Sequence, residues 1–481
     1  MAICAIPRAV EEEIGVNEKV RFSVLCEILD SCNSDEELRT NRERLENTIK
    51  SFGVSARIVD TTRGPTVTRY DLELDQGVKL SRLTNLAGDI ALALGVVSVR
   101  IAPIPDKIST VGIEVPNKII STVYLRDIID SPRFASSKSK LSFAIGKDIA
   151  GQAVVGNIAK LPHLLIAGTT GSGKSVCMNS LIISLLYKSD PDEVKLIMID
   201  PKMVELGVYN GIPHLYIPVV TDPKKAAGAL QWAVTEMLKR YRLFSELGVR
   251  SLEAYNEHLA ENGQPKMPSI VIVIDELADL MLVASKDVEE SICRVAQMGR
   301  AAGMHLVIAT QRPSADVITG LMKANIPSRI AFAVSSALES RIILDNAGAE
   351  KLIGMGDMLY MPAGQRPIRV HGSFVKDSEV EKVVEFLKAQ REPEYVSGVT
   401  EGELSEKDGG SVFDKGDFAA GSDEDLYAQA VAIVQNDKKA STSYIQRKLR
   451  IGYNRAASLI DKMEEEGIIS AADHVGRREV L

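Results

Sequence analysis

The stretch HLLIAGTTGSGKSV, residues 163–176, joins an apolar run to a glycine-rich turn that ends on Lys174 and Ser175. Residues 168–175 match the pattern GxxxxGK[ST], and they follow a predicted strand and precede a predicted helix, as this loop requires. Backbone N–H groups of such a turn, together with the N-terminus of the following helix, bind phosphate oxygens. The stretch therefore predicts a P-loop site for a nucleoside triphosphate.

The positions of this loop have distinct predicted roles, and the predicted cofactors are ATP and Mg²⁺. Lys174 is expected to reach the β- and γ-phosphates, and the Ser175 hydroxyl is expected to bind Mg²⁺. The residues predicted to bind the nucleotide are Gly168, Thr169, Thr170, Gly171, Ser172, Gly173, Lys174, Ser175, Val176 and Asp275.

A second stretch, SIVIVIDELADLM (residues 269–281), is a predicted strand that ends in Asp275 and Glu276. In P-loop enzymes this arrangement places one carboxylate on the magnesium ion and the next beside the attacking water. For the pair alone, acidic residues at a helix N-terminus are the less favoured alternative. In HLVIATQRP (residues 305–313), Gln311 ends another predicted strand, where a sensor of the γ-phosphate is expected. Together with the P-loop, these residues predict an ATPase, with Ser175 and Asp275 as the magnesium ligands.

The composition limits the remaining classes of protein. With 481 residues, 45% hydrophobic and 25% charged, the chain is predicted to be globular, with roughly two to four domains. The formal net charge of -8 excludes a uniformly basic surface, so binding of nucleic acid has to depend on local patches. No apolar run reaches the ~18 residues that cross a bilayer, and no signal peptide is recognised, so a cytoplasmic location is predicted. The five cysteines are scattered and predict no metal site.

The order of predicted strands and helices divides the chain. Between residues 140 and 390, short apolar strands alternate with amphipathic helices, which predicts a parallel sheet covered on both faces. The predicted fold is α/β: a RecA-like P-loop motor domain with a small N-terminal α+β subdomain and a C-terminal winged-helix domain. The predicted boundaries are 1–33 for a tail of unclear role, 34–133 for the α+β subdomain, 134–391 for the motor, 392–422 for a flexible acidic linker and 423–481 for the winged helix.

Several long motifs resemble one family, the FtsK/SpoIIIE double-stranded DNA translocases. In the motor these are HLLIAGTTGSGKS, IMIDPKMVELGVYNGIPHL, DELADLM, RAAGMHLVIATQRPSADVITGLMKANIPSRIAFAVSS and GAEKLIGMGDMLY. Upstream, RGPTVTRYDLEL and TNLAGDIALALG resemble the α subdomain of that family. Downstream, QRKLRIGYNRAASLIDKMEEEGIIS is similar to its winged-helix γ domain. The resemblance covers the chain from about residue 40 to its end.

The resemblance implies a homo-hexameric ring that pumps double-stranded chromosomal DNA during cell division or sporulation. Lys174, Glu276 and Gln311 match catalytic positions of the family, and Glu276 matches the catalytic base. Arg300 matches an arginine that acts on the ATP of the neighbouring subunit. Arg312 and Lys323 match a pore loop that contacts DNA phosphates. Ala337 stands where relatives often carry a lysine, so one phosphate contact per subunit is expected to be missing.

The C-terminal unit has a basic stretch of its own. Residues 438–455 contain six basic and no acidic side chains, and the order helix, turn, helix, strand is typical of a winged helix-turn-helix. Its second helix is expected to enter the major groove; a solvated basic face is the alternative. Relatives commonly carry an arginine where this chain has Ser458 and an acidic residue where it has Asp461, so the missing arginine at 458 puts the sequence preference of the family in doubt. The predicted DNA contacts of this unit are Arg447, Asn454, Arg455, Ser458, Arg477 and Arg478.

The resemblance leaves partners and alternatives open. It implies that the γ domain orients the motor and that it could contact a Xer-type site-specific recombinase. It also implies association with the membrane at the division septum, provided that an anchor precedes this chain in a full-length form. One alternative is a conjugation coupling protein, against which the γ domain argues. The other is a DNA-binding regulator with a nucleotide switch, against which the acidic pair and Arg300 argue.

Overall fold

The chain forms two compact units, residues 1–402 and 403–481. The computed structural model describes residues 36–104, 107, 109–399, 427, 430–431, 433–435, 440–449, 453–470, 478 and 480. The predicted tail at 1–33 and most of the predicted linker, residues 400–422, lie outside the described residues. No helix within the described ranges is both long enough and apolar enough to cross a bilayer.

The first unit begins with a four-stranded antiparallel sheet in the order β1-β2-β4-β3. Helices pack on it around the buried side chains of Leu45, Ile49, Tyr70 and Ile90. This layer confirms the small α+β fold that the sequence predicts. Its elements are α1 (36–51), β1 (Ala56–Arg63), β2 (Val67–Leu74), α2 (Leu80–Asn85), α3 (Ala87–Leu94), β3 (Arg100–Pro103) and β4 (Thr110–Pro116).

The rest of the first unit is built on a nine-stranded sheet in the order β6-β5-β13-β12-β11-β7-β10-β9-β8. Its strands are β5 (Ser142–Asp148), β6 (Ala153–Asn157), β7 (Leu164–Ala167), β8 (Val194–Ile199), β9 (Ser269–Ile274), β10 (Met304–Thr310), β11 (Ser328–Phe332), β12 (Asp357–Met361) and β13 (Ile368–Gly372). Its helices are α4 (Leu125–Ile129), α5 (Pro132–Ala135), α6 (Lys174–Lys188), α7 (Pro223–Leu247), α8 (Leu252–Glu261), α9 (Leu277–Met298), α10 (Gly320–Asn325), α11 (Ala337–Leu344) and α12 (Asp377–Gln390).

The predicted parallel sheet is confirmed for the five strands around the P-loop strand β7. Strands β11, β7, β10, β9 and β8 are parallel, and β9 shows why they are apolar throughout. Ile270, Ile272 and Ile274 face the core on one side of the sheet, and Val271 and Val273 face the core on the other. A strand buried on both faces needs apolar residues at every position.

The remaining four strands of this sheet are antiparallel, which the prediction of a parallel sheet does not include. β12 pairs with β13, β13 with β5 and β5 with β6 in antiparallel register. Short loops join β5 to β6 and β12 to β13, and such loops connect only antiparallel neighbours, because a parallel pair needs a long crossover. The motor sheet is therefore mixed.

Packing at the edges of the motor bears on the predicted boundaries, which stay predictions. Val123, Leu125 and Ile128 are buried in the core of the nine-stranded sheet, which favours a motor that starts before residue 123 instead of at 134. At the other end, two residues after 392 contact the rest of the first unit or its core: the N–H of Val396 donates to the carbonyl of Tyr216 at 3.0 Å, and Val399 is buried. These two contacts favour a linker that begins after residue 399.

The second unit contains two described helices, α13 (Thr442–Leu449) and α14 (Tyr453–Glu465). They pack around buried side chains that include Val434, Ile445 and Ile460. An antiparallel bridge joins Ile469 to Val480 after the second helix. Two packed helices followed by an antiparallel pairing is the order that the sequence predicts for a winged helix-turn-helix.

Candidate nucleotide-binding site

The P-loop joins the end of β7 to the start of α6, and its glycines answer to two constraints, space at Gly168 and Gly173 and backbone conformation at Gly171 and Gly173. Gly171 and Gly173 have φ of 77° and 112°, a region that side chains disfavour. A Cβ atom on Gly173 would lie 2.6 Å from the backbone nitrogen of Gly356. One on Gly168 would lie 2.5 Å from the Cβ of Phe332. Space therefore requires glycine at 168 and 173, whereas at 171, where a Cβ would meet no atom, glycine is favoured by the positive φ alone.

Lys174 and Asp275 form a buried ion pair at the base of this loop. The Lys174 Nζ donates to Asp275 Oδ1 at 2.5 Å and to the Asp275 carbonyl at 2.9 Å. Their side chains are 3% and 0% exposed. The structure thus brings together the P-loop lysine and the acid that ends β9, which are 101 residues apart in sequence.

Two buried polar atoms at the site lack a partner within the described part of the chain. These are Asp275 Oδ2 and Ser172 Oγ. Buried polar atoms are usually hydrogen-bonded, so both atoms fit a site whose partners come from a ligand. Mg²⁺ binds through one or two carboxylates plus substrate phosphates and waters, so it needs no cage made wholly of protein. Accordingly, no preformed group of three or more acidic, His or Cys ligands is found among the described residues.

Glu276 lies between Asp275 and the first residue of α9, as the N-cap of that helix, and its side chain is fully buried. Its Oε1 accepts from the Thr310 hydroxyl at 2.6 Å, its Oε2 accepts from Lys202 Nζ at 3.0 Å, and the N–H of Gln311 lies 3.2 Å from both oxygens. Burial acts to raise the pKa of this carboxyl, but the hydrogen bonds from Thr310 and Lys202 outweigh burial and hold its pKa below the ordinary value. The carboxylate is therefore ionised at neutral pH.

Gln311 lies where β10 ends, directly beside the P-loop. The Thr170 hydroxyl donates to Gln311 Oε1 at 2.8 Å. The neighbouring Thr169 bonds the carbonyl of Ala333 after β11 at 3.0 Å, and Val176 is half-buried in the first turn of α6. The P-loop and the ends of β9 and β10 thus bring together, at one edge of the sheet, the five residues with predicted roles in hydrolysis: Lys174, Ser175, Asp275, Glu276 and Gln311.

Three residues of the site were missed by the sequence reasoning, and all follow β8. The Ser175 hydroxyl donates to Glu205 Oε1 at 2.7 Å, and Lys202 bonds Glu276. The buried Asp200 carboxylate accepts from the N–H groups of Glu205 and Leu206, each at 3.0 Å. The sequence did contain a signal for them, because they directly follow the buried strand β8. Polar residues that follow a buried parallel strand lie at the same edge of the sheet as the P-loop.

Arg300 lies at the opposite edge of the sheet from the P-loop. It precedes the start of β10 and is exposed, whereas the Gln311 end of that strand borders the nucleotide site. Seven residues of strand span about 20 Å, which exceeds the length of an arginine side chain. The structure therefore does not bring Arg300 to the P-loop of its own chain.

The two predicted pore-loop residues differ in their surroundings. Arg312 is exposed at the start of the loop that follows β10. Lys323 is half-buried on α10, and its Nζ donates to Asp345 Oδ1 at 2.8 Å. Asp345 also accepts from Arg329, so Lys323 already has an anionic partner. Ala337, at the start of α11, is half-buried.

Only part of the predicted DNA contacts of the second unit can be placed. Ser458 is exposed on α14. Arg478 Nε donates to Glu464 Oε2 at 2.8 Å, so this arginine bonds an acid of its own unit. Asn454 and Arg455 lie in the first turn of α14, but their side chains, like those of Arg447 and Arg477, are outside the described residues.

The chain matches three family descriptions in the order of its parts. Residues 23–117 match the FtsK alpha domain, residues 124–315 match the FtsK/SpoIIIE family, and residues 421–481 match the FtsK gamma domain. A solved structure, the conjugation coupling protein TcpA of pCW3 with ATPγS, is 22% identical, with a TM-score of 0.50, over 72% of this chain and 99% of its own. At that identity the likeness shows the P-loop ATPase fold alone.

Much more similar relatives are proteins named DNA translocase FtsK. That of Clostridium acetobutylicum is 57% identical over 93% of this chain and 58% of its own length. That of Caldanaerobacter subterraneus subsp. tengcongensis is 54% identical over 98% of this chain and 65% of its own length. The chain thus spans about three fifths of the length of these curated relatives. With the matched alpha, motor and gamma parts in one order, the chain belongs to the FtsK/SpoIIIE family.

Proposed function

We propose that the chain is an ATP-hydrolysing motor that moves along double-stranded DNA. The observation that carries the proposal is the meeting of Lys174, Ser175, Asp275, Glu276 and Gln311 at one edge of the parallel sheet. These residues come from three strands and provide a phosphate ligand, metal ligands, a base and a sensor. Relatives that are more than half identical bear the name of a DNA translocase, which supports DNA as the substrate.

The proposed chemistry assigns each polar group a task. When bound, Mg²⁺ neutralises charge on the phosphates, and Ser175 with the free Oδ2 of Asp275 would hold it. Lys174 would leave its bond to Asp275 and donate to the phosphates. Glu276, ionised and held from two sides, would orient the attacking water and accept its proton. Gln311 would change its bond to Thr170 when the phosphate is lost.

Contacts between the base and the predicted pore loop support coupling of hydrolysis to DNA. Glu276 bonds Thr310 and the N–H of Gln311, and the N–H of Arg312 donates to the Thr310 hydroxyl at 3.1 Å. Two hydrogen bonds, through the Thr310 hydroxyl, thus connect the carboxylate of Glu276 to the backbone of Arg312. Arg312 and Lys323 would contact DNA phosphates, which gives binding that does not depend on sequence. For Lys323 this requires release from Asp345.

The position of Arg300 supports a ring. Because this side chain lies at the edge opposite its own P-loop, its proposed target is the ATP of a neighbouring copy. We propose a homo-hexamer around duplex DNA that pumps chromosomal DNA during division or sporulation, oriented by the γ domain. Contact of the γ domain with a Xer-type recombinase, and association of a full-length form with the septal membrane, belong to the same proposal. Without a membrane anchor, the chain is expected to work in the cytoplasm.

The two other functions have weaker support. The fold shared with a conjugation coupling protein does not separate the two kinds of motor, but the matched gamma domain at 421–481 favours the chromosomal one. A nucleotide-switched regulator does not need a buried, ionised base beside the P-loop. Negative-stain images of the chain with duplex DNA separate a motor from a regulator, because only the motor is expected to form closed rings.

The direct test is the rate of ATP hydrolysis with and without long linear duplex DNA, at low and moderate salt. The unmodified chain is expected to be stimulated by duplex. Glu276→Gln is expected to lose roughly 10²- to 10⁴-fold of the rate, as removal of a general base does. Glu246→Gln, the same change at an exposed position of α7, is the control and should match the unmodified chain. Hydrolysis that is indifferent to DNA would contradict the proposed motor.

A further inference from the structure

The loop that follows β8, residues 200–206, is held in one shape by a buried acid. The Asp200 carboxylate, fully buried, accepts from the N–H groups of Lys202 at 3.2 Å and of Glu205 and Leu206 at 3.0 Å. Met203, at the tip, has a φ of 58°, which is uncommon for a residue other than glycine. Three hydrogen bonds to one carboxylate fix where the side chains of this loop start.

From this fixed loop, two side chains reach the two chemical groups of the nucleotide site. Glu205 accepts from Ser175 at 2.7 Å on one side. On the other side, Lys202 Nζ lies 3.0 Å from Glu276 Oε2 and 3.9 Å from Asp279 Oδ2. The Lys202 side chain is 35% exposed, whereas that of Glu276 is 0% exposed. Lys202 therefore approaches the buried carboxylate from the open side of the site.

The bonds to Glu276 show what Lys202 contributes. Oε1 receives a short bond from the Thr310 hydroxyl, at 2.6 Å, in addition to the N–H of Gln311. Oε2 receives the same N–H at 3.2 Å and the Lys202 ammonium at 3.0 Å. Within the described residues, Lys202 is the cation that contacts this carboxylate. Without it, Oε1 would stay bonded to Thr310 and to the N–H of Ala278 at 3.4 Å, but Oε2 would keep one long, shared bond, so the orientation of Oε2 would be held less tightly.

We infer that Lys202 is a positioning residue: it holds Oε2 of Glu276 at the angle from which that carboxylate can orient the attacking water. The inference rests on the proposed ATPase function. Lys202 acts through Glu276 and does not contribute to the binding of the nucleotide itself. Its loss should therefore lower kcat and leave both KM and nucleotide affinity nearly unchanged.

The test compares Lys202→Met and Lys202→Arg with the unmodified chain, in the presence of duplex DNA. Lys202→Met should lower kcat by about tenfold or more, the usual loss when a supporting partner of a site is removed. Lys202→Arg keeps a donor and a charge and should recover most of the rate. Titration with a fluorescent ATP analogue should give affinities within about twofold for all three, which also shows that the variants are folded. Lys239→Met removes an exposed lysine that is paired with Glu236 on α7, and should have no effect.

A double-mutant cycle separates positioning from other roles. In a Glu276→Gln background, Lys202→Met should cause little further loss, because the group it positions has already been replaced. An equal loss in both backgrounds, a weaker affinity for the nucleotide, or an unchanged kcat would each overturn the inference. If the unmodified chain hydrolyses no ATP, the proposed function fails, and this inference falls with it. A hydrolysing chain with an unaffected Lys202→Met variant overturns the inference alone.

Discussion

Replacement of Arg369 by methionine should destabilise the first unit strongly, because this arginine joins its two sheets through a buried network. From β13, Arg369 forms two bonds to Asp357 on β12, at 3.0 and 2.6 Å, and one bond of 2.8 Å to Glu114 on β4 of the four-stranded sheet. Arg100 completes the network with a bond of 2.7 Å to Glu114. The side chains of Arg369, Glu114 and Asp357 are at most 5% exposed.

The size of the effect follows from what the change leaves behind. Glu114 would keep Arg100, but among the described residues Asp357 would keep only the N–H of Ile353 as a donor and no cation. Burial acts to raise the pKa of Glu114, and the charges of Arg100 and Arg369 outweigh it, so this carboxyl is ionised and depends on both. Breaking a buried ion pair on one side costs about 3–5 kcal/mol, a large share of the roughly 5–15 kcal/mol that stabilises a protein.

The assay uses the single tryptophan, Trp232, which lies in α7 with its ring 5.2 Å from that of Tyr216. Its fluorescence follows urea unfolding of the motor. With a slope near 3 kcal/mol per M, a loss of about 3–5 kcal/mol lowers the midpoint by roughly 1–1.7 M. Arg366→Met, three positions earlier and exposed, is the control and should move the midpoint little. A shift for Arg369→Met as small as that of the control would refute the reasoning.

Three further predictions concern the nucleotide and DNA sites. Gly173→Ala should cost more stability and more nucleotide affinity than Gly171→Ala, because both have positive φ but only Gly173 has backbone where a Cβ would go; urea unfolding and nucleotide titration measure both. Arg312→Ala with Lys323→Ala should lower DNA-stimulated hydrolysis, reduce the salt dependence of DNA binding and spare nucleotide binding. Arg300→Ala should lower hydrolysis by roughly 10³- to 10⁵-fold while the nucleotide still binds.

Each of these has an outcome that would count against it. Equal losses for the two glycine variants would mean that the loop can move away from Gly356. Normal stimulation by DNA in the double variant would remove the pore-loop assignment, and Arg312→Ala alone should show most of the loss because Lys323 is held by Asp345. Mixing Arg300→Ala chains with Lys174→Ala chains should restore part of the activity if the arginine acts on a neighbour; no restoration would contradict that role.

The parts of the site that could be predicted from the sequence are those marked by a short motif next to a buried strand. The P-loop, the acid pair after β9 and Gln311 after β10 are each adjacent to a buried strand, and parallel strands bring their carboxyl ends to one edge. The placement of these residues therefore followed once the strands were recognised. The bond between Lys174 and Asp275 is a consequence of the same topology.

What could not be predicted depends on contacts between distant segments. Nothing local in the sequence shows that Lys323 bonds Asp345, or that Arg478 bonds Glu464. Lys323 and Arg478 were both expected to contact DNA, because the sequence shows that a residue is basic but does not show which acidic side chain it bonds. The contribution of Lys202 to the site likewise needs the path of the loop after β8, which Asp200 sets through backbone bonds.

The most direct test of the central claim is displacement of a third DNA strand from a linear duplex. The chain with ATP is expected to release the strand, and neither Glu276→Gln nor the chain with a non-hydrolysable analogue should do so. Release that requires ATP and an intact Glu276 is the behaviour of a motor that moves on duplex DNA. Hydrolysis of ATP without release, or release that persists in Glu276→Gln, would contradict the account.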